Sequence, residues 1–268
     1  MEDYGKKNLL GVQVNAIDYE AAVSQIIAAA RSGKPLSVSA LAVHGVMTGV
    51  LDATQRYRLN HLDLVVPDGQ PVRWALNWLY QTNLADRVYG PTLMLKVCQR
   101  AAEESLPIYL YGSRPAVLEA LVQHLQTRFP NLRMAGVQPS RFRQTSAREK
   151  AEIAAEIRNS GARVLFVGLG CPRQEVWAYE YRTALSLPII AVGAAFDFHA
   201  GLVPQAPAKL QRSGLEWLYR LWQEPRRLWK RYLLLNPLYL ALLACQGLKL
   251  ASFDPATATP PTVEVRYG

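Results

Sequence analysis

Asp68 follows the apolar run Leu64-Val65-Val66 and Pro67, and Gly69 comes next. A carboxylate at that point can take a proton from an attacking hydroxyl if a substrate buries it. Asp-Gly is also the composition of a tight turn, and spacing alone favours a turn aspartate satisfied by local N–H groups. Asp197 lies between Phe196 and Phe198, as a desolvated functional carboxylate or as the cap of the next turn. Gly112-Ser113-Arg114-Pro115 puts backbone N–H groups at a helix start beside a cation, which suits phosphate and equally suits a plain strand-to-helix cap. Gly168-Leu169-Gly170-Cys171-Pro172-Arg173 carries part of a dinucleotide fingerprint without its third glycine. The match is weak, which speaks against a nicotinamide-type oxidoreductase. Gln174 and Glu175 then fall in a first helical turn, toward a ligand or merely at the helix end. Ser39, with His44 nearby, marks one further strand end. Ligands of open parallel sheets bind outside the carboxyl ends of the strands, so convergence of these five places is the argument for a site.

A cationic segment follows. Between Lys209 and Arg231 stand Lys209, Arg212, Arg220, Arg226, Arg227, Lys230 and Arg231 against Glu216 and Glu224. These 23 residues carry +5 of the formal +9 of the 268-residue chain. Such a balance points to an anionic substrate, an anionic surface, or both. Arg226, Arg227, Lys230 and Arg231 gather on one side of a helix, and Trp229, Tyr232, Leu228 and Leu235 make up the remainder. Trp and Tyr beside Lys and Arg is the composition of an interfacial helix, and arginines also fork onto a diphosphate.

The elements that must position these groups alternate. Strands are expected over residues 9–14, 36–42, 62–66, 108–111, 133–137, 163–168 and 189–193. Helices are expected over 19–31, 46–57, 70–80, 92–104, 115–128, 146–159 and 172–184. This rhythm implies an α/β fold, a Rossmann-like parallel sheet with helices on both faces. Beyond Gly201 the pattern becomes helical, over residues 209–222, 225–235 and 238–250. The reading is therefore a core of residues 1–204, a basic amphipathic appendage of 205–251 and a disordered, frayed tail of 252–268. Residues 232–248 are strongly apolar but short of the roughly 20 that a spanning helix needs, and Asn236-Pro237 interrupts them. They lie on a bilayer or pack as a buried terminal helix. Truncation near Lys209 is expected to raise solubility and remove activity.

Half of the residues are hydrophobic, which excludes wholesale disorder. Cys98, Cys171 and Cys245 are widely spaced, fitting a reducing cytosol, and no metal-ligand spacing appears among the four histidines. No cofactor or metal is expected. The first residues lack the apolar core of a signal peptide.

Several long runs resemble the WecG/TagA/CpsF family of bacterial glycosyltransferases. They are residues 164–175, 192–201, 206–220 and 224–232, joined upstream by Val66-Pro67-Asp68-Gly69 and Arg87-Val88-Tyr89-Gly90-Pro91. The resemblance covers about residues 9–235. It implies a compact Rossmann-like core (GT-E type) with a helical appendage that helps close the active site and meet the membrane. It implies transfer of a sugar, of N-acetylmannosamine type or a related hexose, from a UDP-sugar to a polyprenyl-diphosphate-linked acceptor. Such chemistry builds teichoic acids, common antigens or capsular polysaccharides at the cytoplasmic membrane face. By the same likeness Asp68 is the base and Gln174 lies in the substrate pocket. Arg220, Arg227 and Arg231 hold the nucleotide diphosphate, and Asp197 matches the family's Phe-Asp. Ser39 and His44 are counted with the catalytic group, and Gly69, Gly112, Ser113, Gly170 and Glu175 with the substrate contacts. One departure stands out. Where the family commonly has Thr and, two residues on, Asn, this chain has Ser39-Ala40-Leu41. The hydroxyl survives and the amide does not, which leaves the donor sugar open and His44 as a partial substitute. The rival reading is a non-catalytic protein that binds nucleic acid or anionic lipid through the basic stripe; it predicts steeply salt-dependent binding. The interleaving of cations with Leu and Trp at helical spacing speaks against nucleic acid. A homo-oligomer that masks the apolar appendage stays open.

Overall fold

The structure, a computed structural model, describes residues 1–268. Six parallel strands form the central sheet: β3 (Leu36–Leu41), β4 (Leu64–Pro67), β5 (Ile108–Gly112), β6 (Met134–Gln138), β7 (Val164–Gly168) and β8 (Pro188–Ala191). Their order across the sheet is β4-β3-β8-β7-β5-β6. Side chains alternate between the two faces, and both faces are covered, as a parallel sheet requires. Leu41, Val65, Tyr109, Tyr111, Leu165, Val167 and Ile189 enter one apolar core. Val38, Leu64, Val66, Leu110, Phe166 and Ile190 enter the other.

Helices α1 (Tyr19–Ser32), α5 (Gly90–Glu103), α6 (Pro115–Arg128) and α9 (Ala195–His199) cover the second face. Helices α2 (Val43–Leu51), α3 (Ala53–Asn60), α4 (Gln70–Tyr80), α7 (Ala147–Asn159) and α8 (Arg173–Tyr181) belong to the first. The single strand expected over residues 9–14 is instead an antiparallel hairpin of β1 (Asp3–Leu9) and β2 (Val12–Ile17). Leu10 and Gly11 both take positive φ there, at 56° and 86°. A leucine in a left-handed turn gives no compositional signal, which is why the turn was invisible.

The appendage is α10 (Ala208–Arg212), α11 (Glu216–Gln223) and α12 (Pro225–Gly247). The helix expected over residues 209–222 breaks at Gly214, where φ is 74°. The two helices expected over 225–235 and 238–250 are one, with Pro237 inside it. Its buried stripe recurs at helical spacing, with Leu228 and Tyr232 facing the cavity and Tyr239 and Leu243 facing the core. Gln246 fastens the far end, accepting from the Leu10 amide at 3.0 Å and donating to the Asn8 carbonyl at 2.9 Å.

The expected frayed tail of residues 252–268 is corrected by the contacts it makes. A short 3₁₀ turn forms at Pro255–Thr257, and Tyr267 bridges to Gln144. The buried Glu180 carboxylate accepts the Val265 and Arg266 amides at 2.7 and 2.9 Å. The Ser140 hydroxyl donates to the Gly268 carbonyl at 2.6 Å. The irregular backbone here is anchored by a buried acid from α8.

Candidate functional site

The carboxyl ends of the central strands open into one cavity of about 1030 Å³, walled on its other side by α11 and α12. Asp68 and Gly69 enter from the end of β4, and His44 from the first turn of α2. Ser113 comes from the end of β5, and Gly170, Gln174 and Glu175 follow β7. Asp197 comes from α9, and Arg220, Arg227 and Arg231 from the appendage. Two expected site residues are elsewhere. Ser39 is fully buried behind the cavity and donates its hydroxyl to Glu175 Oε1 at 3.1 Å, so it supports a site residue rather than touching a ligand. Gly112 pairs with Gly168 across β5 and β7. A Cβ on Gly112 would lie 2.9 Å from the Gly168 backbone, so this glycine serves close strand packing. Ser113 makes no cap for α6, which begins at Pro115 without a side-chain cap.

Asp68 owes its environment to three connections. Its amide donates to the Leu41 carbonyl at 3.2 Å, fixing it beyond β4. The Gly90 amide, at the first turn of α5, donates to Asp68 Oδ1 at 2.6 Å. The other carboxylate oxygen takes no protein hydrogen bond. Gly90 permits this approach: a Cβ there would sit 3.2 Å from both Ala40 Cβ and the Val192 carbonyl oxygen. Burial pushes the Asp68 carboxyl up to about 6, with Glu216 adding to the rise, while Arg87, the Gly90 N–H and Arg220 oppose it. Near neutral pH the group is ionised and poised to accept a proton. It is a cavity carboxylate rather than a plain turn residue.

Glu175 is fully buried, and burial raises its pKa. Its Oε1 accepts from Ser39 Oγ and from Gln174 Nε2, the latter at 2.9 Å. Gln174 Oε1 in turn accepts the Gly193 amide at 2.9 Å, so the Gln174 amide is locked from both ends. His44 is driven down to about 4 by burial and by the Arg231 charge, which makes it a neutral imidazole. Asp197 is raised by burial despite Arg114, Arg227 and Arg220 around it. Burial also lowers Arg231, and the nearby Arg220 and Arg227 add to that. Crowded cations with unfilled hydrogen-bonding capacity are the environment an anionic ligand relieves. No three His, Cys, Asp or Glu side chains converge on one point as a metal site would need.

The helix starts tell the same story. Helices α1, α3 and α7, which contribute nothing to the cavity, are capped by Asp18, Asp52 and Ser146. Helices α2, α4, α6 and α8, whose starts line it, carry no side-chain cap, nor does α10 away from it, while the Asp68 carboxylate accepts the first N–H of α5. Uncapped N–H groups converging on a cationic cavity favour negative charge there.

The chain matches the model of the Glycosyl transferase WecG/TagA/CpsF family over residues 7–252. It belongs to that family. It is similar to N-acetylglucosaminyldiphosphoundecaprenol N-acetyl-beta-D-mannosaminyltransferase of Bacillus subtilis (strain 168), with 30% identity over 176 residues, 65% of this chain and 66% of the relative. The protein of the same name from Bacillus spizizenii (strain ATCC 23059 / NRRL B-14472 / W23) is 29% identical over 176 residues, with the same shares. The match thus spans about two thirds of the length of these curated relatives.

Within this family member, reasoning from residues overlooked Arg87, Tyr89 and Glu216. Arg87 Nη2 donates to Glu216 Oε2 at 2.6 Å, and the Tyr89 hydroxyl donates to Glu216 Oε1 at 2.9 Å. All three are buried and line the cavity beside Asp68. The upstream run Arg87-Val88-Tyr89-Gly90-Pro91 was the available signal. Leu41 packs on the helix α2: a Cβ on Gly45 would meet its Cδ1 at 2.3 Å.

Proposed function

We propose that this protein transfers a sugar from a UDP-sugar to a polyprenyl-diphosphate-linked acceptor, with inversion and without a metal ion. The donor is of N-acetylmannosamine type or a related hexose, and the product feeds a cell-surface polysaccharide or teichoic-acid-like polymer. One observation carries the reading: a half-buried carboxylate, Asp68, pushed up to about 6 by desolvation, shares one cavity with Arg220, Arg227 and Arg231.

In this mechanism Asp68 removes the proton from an acceptor hydroxyl. The oxygen's electron pair attacks the anomeric carbon as the bond to the UDP oxygen breaks. A single displacement inverts that centre. Negative charge grows on the departing diphosphate, where the arginines and the uncapped helix starts neutralise it. This supply of positive charge supports metal independence. In this reading Gln174, hydrogen-bonded to Glu175 and Gly193, orients the sugar.

The setting is the inner face of the cell membrane, as a peripheral protein. No helix is long and apolar enough to cross a membrane. What supports surface contact is the outer side of α12, where Trp229, Leu233, Leu240 and Leu248 just beyond its end are exposed near Arg226 and Lys230.

The test is UDP release with a panel of UDP-sugars and a short polyprenyl-diphosphate-sugar acceptor, with and without EDTA. Acceptor-dependent release from one donor, insensitive to EDTA, is expected and names the sugar. Release from no donor, with no UDP binding by calorimetry, would overturn the proposal.

A further inference from the structure

The segment from Arg87 to Gly90 faces two ways. Its Val88 and Gly90 amides turn toward the end of β4, donating to the Pro67 carbonyl at 2.8 Å and to Asp68 Oδ1 at 2.6 Å. Its Arg87 and Tyr89 side chains turn toward the appendage, and both end on the Glu216 carboxylate. Arg87 Nη2 also reaches Gln211 Oε1 of α10 at 3.2 Å, and its guanidinium lies 4.1 Å from the Tyr89 ring centroid. The Tyr89 amide donates to the Tyr19 hydroxyl at 2.9 Å, which pins the segment from the α1 side. Arg87 and Glu216 form a buried ion pair, with side-chain exposures of 8% and 12%.

Arg87 is therefore shared between two carboxylates. It feels the charge of Asp68 as well as that of Glu216. The charged and titratable groups around Asp68 are Arg87, Glu216 and Arg220, with Tyr19 and Tyr89 beside them. Of these, only Glu216 both touches Arg87 and arrives with the appendage. An Arg87 left without Glu216 has one remaining neighbouring carboxylate to turn to, which is Asp68.

We propose that Glu216 is a positioning residue: its carboxylate, carried in by α11, draws Arg87 away from Asp68 and holds the Arg87–Gly90 segment so that the Gly90 amide stays aimed at the base. Docking of the appendage thereby leaves Asp68 free to take a proton. An undocked appendage leaves Asp68 paired with Arg87 and unreactive. The latch thus couples closure of the cavity to readiness of the base, and it rests on the assignment of Asp68 made above.

The test uses the full chain carrying Glu216→Gln, Arg87→Gln, or both. Carbon-13 NMR of the Asp68 carboxyl is followed against pH, and turnover against pH is followed in parallel. Glu216→Gln is expected to move the Asp68 titration down by about one pH unit, with kcat lowered about tenfold or more and UDP affinity within about twofold of the parent. Adding Arg87→Gln is expected to return the titration upward, because the competitor for Asp68 is gone. An unmoved titration in Glu216→Gln, or a double variant no different from the single one, would overturn the latch. The double variant removes both members of the buried Arg87–Glu216 pair, so it reports even where Glu216→Gln fails to fold. The NMR arm needs no turnover, so a wrong substrate class and a wrong latch give different results.

Discussion

At the scale of single residues, Asp68 and Glu175 show how one chemical group serves two ends. Asp68 has a folded pKa of about 6 against an ordinary 3.8. The folded protein therefore binds the proton more tightly than the unfolded chain, and ionising Asp68 costs stability as pH rises through that window. Asp68→Asn is accordingly expected to be at least as heat-stable as the parent at pH 7–8. It should bind UDP as the parent does while turnover drops about 10²–10⁴-fold; unchanged turnover would remove Asp68 from the mechanism. In the parent, turnover should fall as pH drops through about 6, because the base becomes protonated. Glu175 acts through neighbours. Glu175→Ala strips the acceptor from Ser39 and Gln174 and should cost about 1–3 kcal/mol in denaturant melts, whereas Glu175→Gln keeps an acceptor oxygen and should stay close to the parent. The sequence made Asp68, Gln174 and the arginines legible through their motifs. It could not reveal that Ser39 backs Glu175, or that Arg87 and Tyr89 meet Glu216 across 129 and 127 residues of chain. Partners so far apart leave no local spacing to read.

Among the elements, the alternation of strands and helices was legible because apolar period and helix stops are local properties. What escaped was set by single backbone angles or by tertiary contact. Leu10-Gly11 makes a hairpin by entering left-handed space, and Gly214 splits α10 from α11 in the same way. Conversely, Pro237 does not end α12, whose two halves share one buried side, Leu228 and Tyr232 toward the cavity and Tyr239 and Leu243 toward the core. Gly214 also lies against Trp74 of α4, whose Cη2 would come within 2.5 Å of a Cβ. Gly214→Ala is expected to cost about 1–2 kcal/mol from the backbone alone, to push the α10–α11 joint off Trp74, and to raise hydrogen exchange in α10 and α11 ahead of the sheet. Uniform exchange across the molecule would contradict this view of the joint.

For the whole molecule, the appendage is not a detachable tail. Tyr239 and Leu243 belong to the same apolar core as Leu9, Leu10 and the β-hairpin, and Gln246 hydrogen-bonds the hairpin backbone. Cutting the chain near Lys209 uncovers that surface, so the truncated protein is expected to lose activity and also to aggregate, against the gain in solubility that composition suggested. Light scattering of the truncated chain decides the matter. The two sides of α12 have a kinetic consequence. In the proposed membrane setting, with Tyr239 and Leu243 committed to the core, the helix would offer only its outer stripe to lipid, and the cavity would then stand at a fixed height above the headgroups. Encounters with the proposed lipid-linked acceptor in the same bilayer would then become a two-dimensional search. Initial rates on vesicles should follow the mole fraction of acceptor in the membrane, and should fall when plain phospholipid is added at constant total acceptor. Replacing Trp229, Leu233 and Leu240 with Ser should abolish that surface dilution and leave turnover of a short, water-soluble acceptor intact.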